Sequence, residues 1–259
     1  MAFLSTKTGQ FTFFAIQLGE RDWRGKYVLD FGGNIGNMLR DPSATIDEER
    51  YWCIDVVQES IKSGKTAFPK AHWVFYDRYC FFFNPHGISQ LKLPELSRPF
   101  DYIVAYSVFT NTSPTDMLDL VEQLTERLSD GGALAFTFID PHYSSWPGRY
   151  DGNNLRWRLE REIFLEKEKG NTLEIDVDVL SERARGAPWF VLVNGEDLYL
   201  ETEVTKVYEA EQQRTYHTFY SVDYMKSLFP EAAILPPVND EMQHCCVIRR
   251  NLPQRRKEE

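Results

Sequence analysis

The chain has 259 residues, 42% of them hydrophobic and 14% aromatic, which is enough to bury one sizeable core and favours one elaborated domain over two separate ones. A formal net charge of −10 repels a polyphosphate backbone, so nucleic acid is not the expected partner. No stretch approaches about 18 uninterrupted apolar residues, so no membrane span is expected.

The start, "MAFLSTKTGQFTFFAIQLGERDW", lacks a basic n-region and a small-residue cleavage site, so the chain reads as cytoplasmic without a secretory signal. Residues 1–24 form an N-terminal segment ahead of the first strand. Then "KYVLDF" (26–31), "YWCID" (51–55), "HWVFY" (72–76), "FDYIVAYSVF" (100–109) and "GALAFTFI" (132–139) read as buried strands, short and rich in β-branched and aromatic residues. A helix lies between the last two. Ser113 caps it, Pro114 fits its first turn, and Met117, Leu118, Val121, Leu124 and Leu128 make one apolar face before Gly131-Gly132 ends it. Strands alternating with helices imply right-handed crossovers and a mostly parallel sheet covered on both faces.

After residue 140 the rhythm changes. "NLRWRLEREIFLEKEKG" reads as an amphipathic helix, with Leu155, Leu159 and Ile163 on one face and Gly170 at its end. "LEIDVDVL", "PWFVLV", "DLYLETEVTKVYEA" and "RTYHTFY" read as strands of a small antiparallel excursion, "SVDYMKSLF" as a helix, and "AAILPPV" and "QHCCVIRR" as closing strands. The predicted division is a core at 25–140 and 215–251, an inserted cap or substrate subdomain at 141–214, and a flexible tail at 252–259. Cys53, Cys80, Cys245 and Cys246 show no CxxC spacing, so reduced thiols rather than a metal site are expected.

The stretch "VLDFGGNIGN" puts Asp30 at the mouth of a glycine-rich loop. In an open parallel sheet, ligands sit beyond the carboxyl ends of the strands near the point where strand order reverses. Asp30 ends the first strand, Asp55 the second, and Asp77 follows the third. The 25 positions between Asp30 and Asp55 suit recognition of ribose hydroxyls at a neighbouring strand tip. A dinucleotide loop, G-x-G-x-x-G, fails at Asn34 and Asn37, and Asp30 opposes a pyrophosphate at the same place. A ligand carrying an ammonium or sulfonium in place of phosphate reverses that sign. The loop glycines then bring backbone close to the ligand.

These residues resemble the first motif of the class I S-adenosylmethionine-dependent methyltransferases, D-x-G-x-G-x-G, as Asp30, Gly32, Asn34 and Gly36, with Asn34 replacing the middle glycine. The resemblance continues through "WCIDVVQESI", "VFYDRY" and "FDYIVAYSVFTNTS", and through "TFYSVDYMKSLFP" and "MQHCCVIRR", leaving the insertion unmatched. It implies a Rossmann-like α/β fold, mostly parallel, with helices on both faces, to which the change of rhythm after residue 140 adds an α+β insertion after the fifth strand. It also implies that Asp30 and the backbone of Gly32, Gly33 and Asn34 hold the methionyl end of S-adenosylmethionine. Asp55 takes the ribose hydroxyls and Val56 packs on adenine. Asp77 meets the exocyclic amine with Arg78 beside it, while Tyr106 and Ser107 lie beneath the methionyl portion. Asparagine tolerates positive φ better than other non-glycine residues, which suits Asn34 to its position.

Methyl transfer from a sulfonium is an in-line displacement in which alignment and water exclusion dominate. For a hydroxyl acceptor a base adds rate. His142, in "IDPHY" after the fifth strand, is the first candidate, with His86, His217, Asp140 and Tyr143 behind it. The insertion offers Trp146, Arg149, Tyr150, Trp157, Trp189 and Tyr199 as a lid, or as its own small core. The expected acceptor is a small molecule of secondary metabolism, and the chain is compatible with a homodimer. A non-methylating S-adenosylmethionine binder, cyclase-type or regulatory, is the alternative.

Overall fold

The structure is a computed structural model that describes residues 9–80, 83–145, 152–193, 197–203, 216–239 and 241–251. Its strands are β1 Val28–Phe31, β2 Tyr51–Asp55, β3 His72–Phe75, β4 Phe100–Ala105, β5 Leu128–Phe138, β6 Trp189–Val193, β7 Asp197–Leu200, β8 Tyr216–Tyr220, β9 Ala233–Leu235 and β10 His244–Arg249. Its α-helices are α1 Gln10–Leu18, α2 Gln58–Ala67, α3 Pro114–Glu126, α4 Asn154–Glu168, α5 Val177–Ala184 and α6 Val222–Leu228.

Seven strands form the main sheet in the order β3-β2-β1-β4-β5-β10-β9. The pairs from β3 through β5 are parallel, and β10 runs antiparallel to both neighbours. The chain leaves β1 toward β2 on one side and returns to β4 on the other, so the strand order reverses between β1 and β4, where a crevice opens. Every residue of β1 and β2 is buried, so both faces of these strands carry core. Leu29, Phe31, Ile103, Ala105 and Cys246 pack on one face with Met117, Leu120 and Leu124 of α3. Val28, Cys53, Val104 and Cys245 pack on the other with Phe11, Phe13 and Phe14 of α1. The helix α1 is unannounced in the sequence reading. Phe11, Phe14, Ala15 and Leu18 give it an apolar stripe, and Gly19, at φ 71°, ends it in the left-handed conformation.

Local physics moves several predicted boundaries. Ser113 accepts from the Asp116 N–H at 3.1 Å and Pro114 opens α3, as expected, but the helix ends at Glu126. Leu128 therefore opens β5 instead of closing the helix, and the inward residue of the middle turn is Leu120 while Leu118 is exposed. Gly131-Gly132 falls inside β5, where the register with β4 shifts between Phe100 and Tyr102. A Cβ at Gly132 would lie 2.9 Å from the Phe100 carbonyl oxygen, so glycine permits this crossing. The "DVDVL" run is helical in α5, not a strand, because the Asp176 carboxylate accepts from the Val179 N–H at 3.0 Å and caps it. Between β1 and β2 the chain makes successive turns in place of the helix that strand–helix alternation implies.

The small sheet has the order β7-β6-β8 and is antiparallel throughout. Its third strand, β8, falls in the segment that the sequence reading gave to the core, so the small sheet extends past residue 214 to Tyr220. The strand β6 is buried on both faces. Trp189, Val191 and Val193 join the main core, whereas Phe190 and Leu192 join Leu155, Leu159 and Phe219 in a second one. The Thr218 and Tyr220 hydroxyls both donate to the Thr112 carbonyl, at 2.9 and 2.7 Å, and anchor this layer to the loop after β4.

Candidate active site

A cavity of about 430 Å³ opens at the carboxyl ends of β1, β2 and β4. Gly32, Asn34, Asp55, Val56, Tyr106 and Ser107 line it, together with Arg78. These are seven of the ten cofactor-contact residues that the sequence reading named, brought together from three strand ends and the segment after β3.

The loop after β1 is shaped by three left-handed residues, Gly32 at φ 74°, Asn34 at φ 54° and Gly36 at φ 82°. Asn34 thus occupies a conformation that non-glycine residues other than Asn and Asp rarely adopt. A Cβ on Gly32 would lie 2.4 Å from the Val108 side chain, so only glycine lets β1 and the β4 loop close the cavity floor here. The Asp55 carboxylate is fixed at the rim. One oxygen accepts from the Asn34 N–H and the other from the Val57 N–H, both at 2.8 Å. Burial raises its pKa above the ordinary carboxylate range, and these backbone donors oppose the rise.

Asp30 stands elsewhere than the sequence reading put it. It is 1% exposed and lies beneath the loop, on the α1 face of the sheet, where it accepts from the Tyr51 hydroxyl at 2.5 Å. A Cβ on Gly33 would fall 2.5 Å from its carboxyl carbon, so the loop backbone lies directly over the acid. The cause is strand alternation: Asp30 shares its face with Val28, between Cys53 and Val104 on the neighbouring strands. Desolvation raises its pKa to about 7, opposed by the Tyr51 hydrogen bond. Neither Asp30 nor Gly33 lines the cavity, and Asp77 does not line it either; its carboxylate accepts from the Asn84 side-chain amide at 3.0 Å. The acids that line the cavity are Asp55 and Asp116, not Asp30.

Arg78 lines the wall, but its charge is spoken for. Its guanidinium meets Asp116 at 2.8 Å and Asp119 at 2.7 Å, both on α3, and donates to the Leu91 carbonyl at 3.0 Å. Tyr106 donates its hydroxyl to Glu241 at 2.8 Å. Ser107, left-handed at φ 58°, donates its N–H to the Thr137 hydroxyl at 2.7 Å. Thr137 donates to the Gln243 side-chain carbonyl at 2.5 Å, and the Gln243 amide donates to the Ser107 hydroxyl at 2.6 Å. This closed ring fixes the strand tip beneath the cavity.

No histidine lines the cavity among the described residues. His142 and His86 are exposed, and His217 lies beside Arg158 at 2.5 Å, away from the cavity. Asp140 accepts from the His142 N–H at 3.0 Å, and Tyr143 packs edge-on against His244. Of the lid residues, Trp189 is in the main core, Tyr199 packs against it, and Trp157 lies under the Arg161 guanidinium. Trp146, Arg149 and Tyr150 lie outside the described residues. The sequence reading did not name Gln10, Tyr76, Asn111 or Thr112 among the lining residues, nor Glu241 and Gln243 behind them. Among the described residues, no group of three or more His, Cys, Asp or Glu side chains is placed to hold a metal ion, and no helix is long and apolar enough to cross a membrane.

The donor set suits an adenosyl amino acid. A rigid carboxylate for vicinal hydroxyls stands at β2, apolar and aromatic walls (Phe31, Val56, Tyr76, Val108) surround the space, and the cation at the wall is already paired. Residues 29–134 match the family profile described as a methyltransferase domain. The chain is similar in fold to the glycopeptide N-methyltransferase MtfA, solved with sinefungin, at 10% identity and a TM-score of 0.53, over 97% of this chain and 96% of that one. It is likewise similar to S-adenosylmethionine-bound CalS10 from Micromonospora echinaspora, an amino pentose methyltransferase involved in calicheamicin biosynthesis. There the identity is 11% and the TM-score 0.50, over 95% of this chain and 93% of that one. A match to PKMT2 from Rickettsia typhi in complex with AdoHcy, 18% identical with a TM-score of 0.38, takes in 61% of this chain and spans 28% of that protein's length.

Proposed function

We propose that the chain, whose residues 29–134 match the methyltransferase-domain profile, uses S-adenosylmethionine to methylate a small-molecule acceptor. The observation that carries the reading is the cavity at the β1–β4 reversal, with Asp55 held by two backbone N–H groups at 2.8 Å on its rim. When bound, S-adenosylmethionine supplies an electrophilic methyl group on a sulfonium. The chain's own residues bind and align it. Asp55 accepts from the ribose hydroxyls, Val56 and Tyr76 offer apolar surface to the adenine, and the Gly32–Asn34 backbone lies against the methionyl end. Tyr106 and Ser107 form the floor below the reacting centre. Walls of this kind exclude water and hold a near-attack geometry, an effect worth on the order of 7–11 kcal/mol.

The small-molecule acceptor is supported by the net charge of −10, which disfavours nucleic acid. Of the proteins similar in fold, MtfA is a glycopeptide N-methyltransferase and CalS10 an amino pentose methyltransferase. No histidine near the cavity is assigned as a base, and an acceptor nitrogen that is already neutral requires none.

Titration calorimetry tests the cofactor reading. S-adenosylmethionine and S-adenosylhomocysteine are expected to bind and NAD not to. Asp55→Asn is expected to weaken both adenosyl ligands by about 1.5–3 kcal/mol, the range for hydrogen bonds to a charged group. Tight NAD binding, or an unchanged affinity in the variant, overturns the reading. Transfer of a labelled methyl group to candidate metabolites then tests turnover. Donor binding without transfer to any acceptor would favour a non-methylating binder.

A further inference from the structure

Glu241 lies in the segment before β10, far in sequence from every strand tip that builds the cavity. It is 5% exposed. One carboxylate oxygen accepts from the Tyr106 hydroxyl at 2.8 Å, and the other is buried with no hydrogen-bond partner among the described residues. A buried carboxylate with a single hydrogen bond and no cation is costly unless something compensates it. No described arginine or lysine does so: Arg78, the cation at the cavity wall, is engaged by Asp116, Asp119 and the Leu91 carbonyl.

Tyr106 connects this acid to the cavity. It lines the space, and its ring is clamped edge-on by Phe13 and Phe14 of α1, with centroids 5.5 and 6.1 Å away. Its proton is committed to Glu241, so the phenolic oxygen is left as an acceptor alone. The charge behind it strengthens that acceptor, because hydrogen bonds in series polarise one another in a low-dielectric surrounding. Burial and the neighbouring Glu241 raise the Tyr106 pKa well above its ordinary value, so the phenol stays protonated as this arrangement requires. The β4 tip thus offers negative potential to whatever occupies that end of the cavity.

We propose that Tyr106 and Glu241 form a cation-selective subsite, in which Glu241 acts through Tyr106 as a positioning residue that makes the cavity prefer a positively charged sulfonium donor over the neutral thioether left after transfer. The inference rests on the S-adenosylmethionine reading and adds a residue and a consequence to it. Methyl transfer removes the ligand's sulfonium charge, so the same acid that holds the donor loosens its hold on the product.

Three ligands separate the outcomes by calorimetry. S-adenosylmethionine and sinefungin both carry a cation at the reacting centre, whereas S-adenosylhomocysteine is neutral there. In Glu241→Gln, affinity for the two cationic ligands is expected to fall on the order of tenfold, with S-adenosylhomocysteine affinity changing by less than about threefold. Equal losses for all three would assign Glu241 a purely structural role and overturn the proposal, as would no change for any. Tyr106→Phe keeps the clamped ring and is expected to reproduce the selective loss. The wild-type protein provides a test of its own, because S-adenosylhomocysteine binding as tightly as S-adenosylmethionine also overturns the subsite. Failure of all three ligands to bind wild-type protein would instead remove the cofactor reading on which the subsite depends.

Discussion

At the scale of single residues, strand alternation determines which acids meet the cavity. Asp30 points down into the α1 layer beside Tyr51, while Asp55 sits on the rim with both oxygens engaged by backbone donors. The buried acid has a consequence for stability. Its pKa rises from 3.8 to about 7 on folding, chiefly by desolvation. Between those values the native state binds a proton that the unfolded chain lacks, so this group's contribution is fully present below about pH 4 and is lost as pH rises through 7. Asp30→Asn keeps an acceptor for the Tyr51 hydroxyl and removes the titration. The variant is expected to gain stability relative to wild type as pH rises from 5 to 8, by about 2–4 kcal/mol. Urea unfolding of both proteins across that range checks it, and a pH-independent difference would show that Asp30 stays ionised in the fold.

At the scale of elements, the loop after β1 explains how far the sequence was legible. Its glycines, the strand before it and the acid ending β2 form a local pattern, and local patterns survive translation into structure. Strands buried on both faces read as plain apolar runs, which located β1, β2 and β4 but concealed which face Asp30 takes. The Tyr106–Glu241 pair joins residues 135 positions apart and leaves no periodic trace. In α5, a single capping aspartate outweighed a run of β-branched residues, so the strand reading failed there. The loop itself yields a steric prediction. Gly33→Ala would place Cβ 2.5 Å from the Asp30 carboxyl carbon and 2.8 Å from the Cys53 sulfur, both buried. A loss of about 1–3 kcal/mol in unfolding free energy is expected, together with weaker S-adenosylmethionine binding as the loop lifts. Gly19, which is left-handed but has open space around it, is the control for a loss that comes from backbone strain alone. There alanine is expected to cost only about 1 kcal/mol of backbone strain and to leave binding unchanged.

At the scale of the molecule, the question is whether the small sheet is a separable lid or a part of the same folding unit. Its central strand argues for the second. An autonomous module would turn one apolar face inward and one polar face toward the rest, yet β6 is buried on both sides. Trp189, Val191 and Val193 are part of the main core with Phe136 and Met225, while Phe190 and Leu192 hold the second core beneath α4 and α5. Tyr220 spans the two, with its ring in the main core and its N–H donated to the Ile139 carbonyl at 3.0 Å. The loop that these residues grip through Thr112 is also a wall of the cavity, so the packing of the small sheet bears on the site. Phe190, fully buried and stacked on Phe219 with ring centroids 5.0 Å apart, is the most direct probe. Phe190→Ala is expected to cost about 3–5 kcal/mol. Because the two cores share a strand, the loss is expected to lower one common unfolding midpoint, seen alike by far-ultraviolet circular dichroism and tryptophan fluorescence. Two separated transitions, with the second unshifted from wild type, would show that the small sheet unfolds on its own and that its hold on the cavity wall is dispensable.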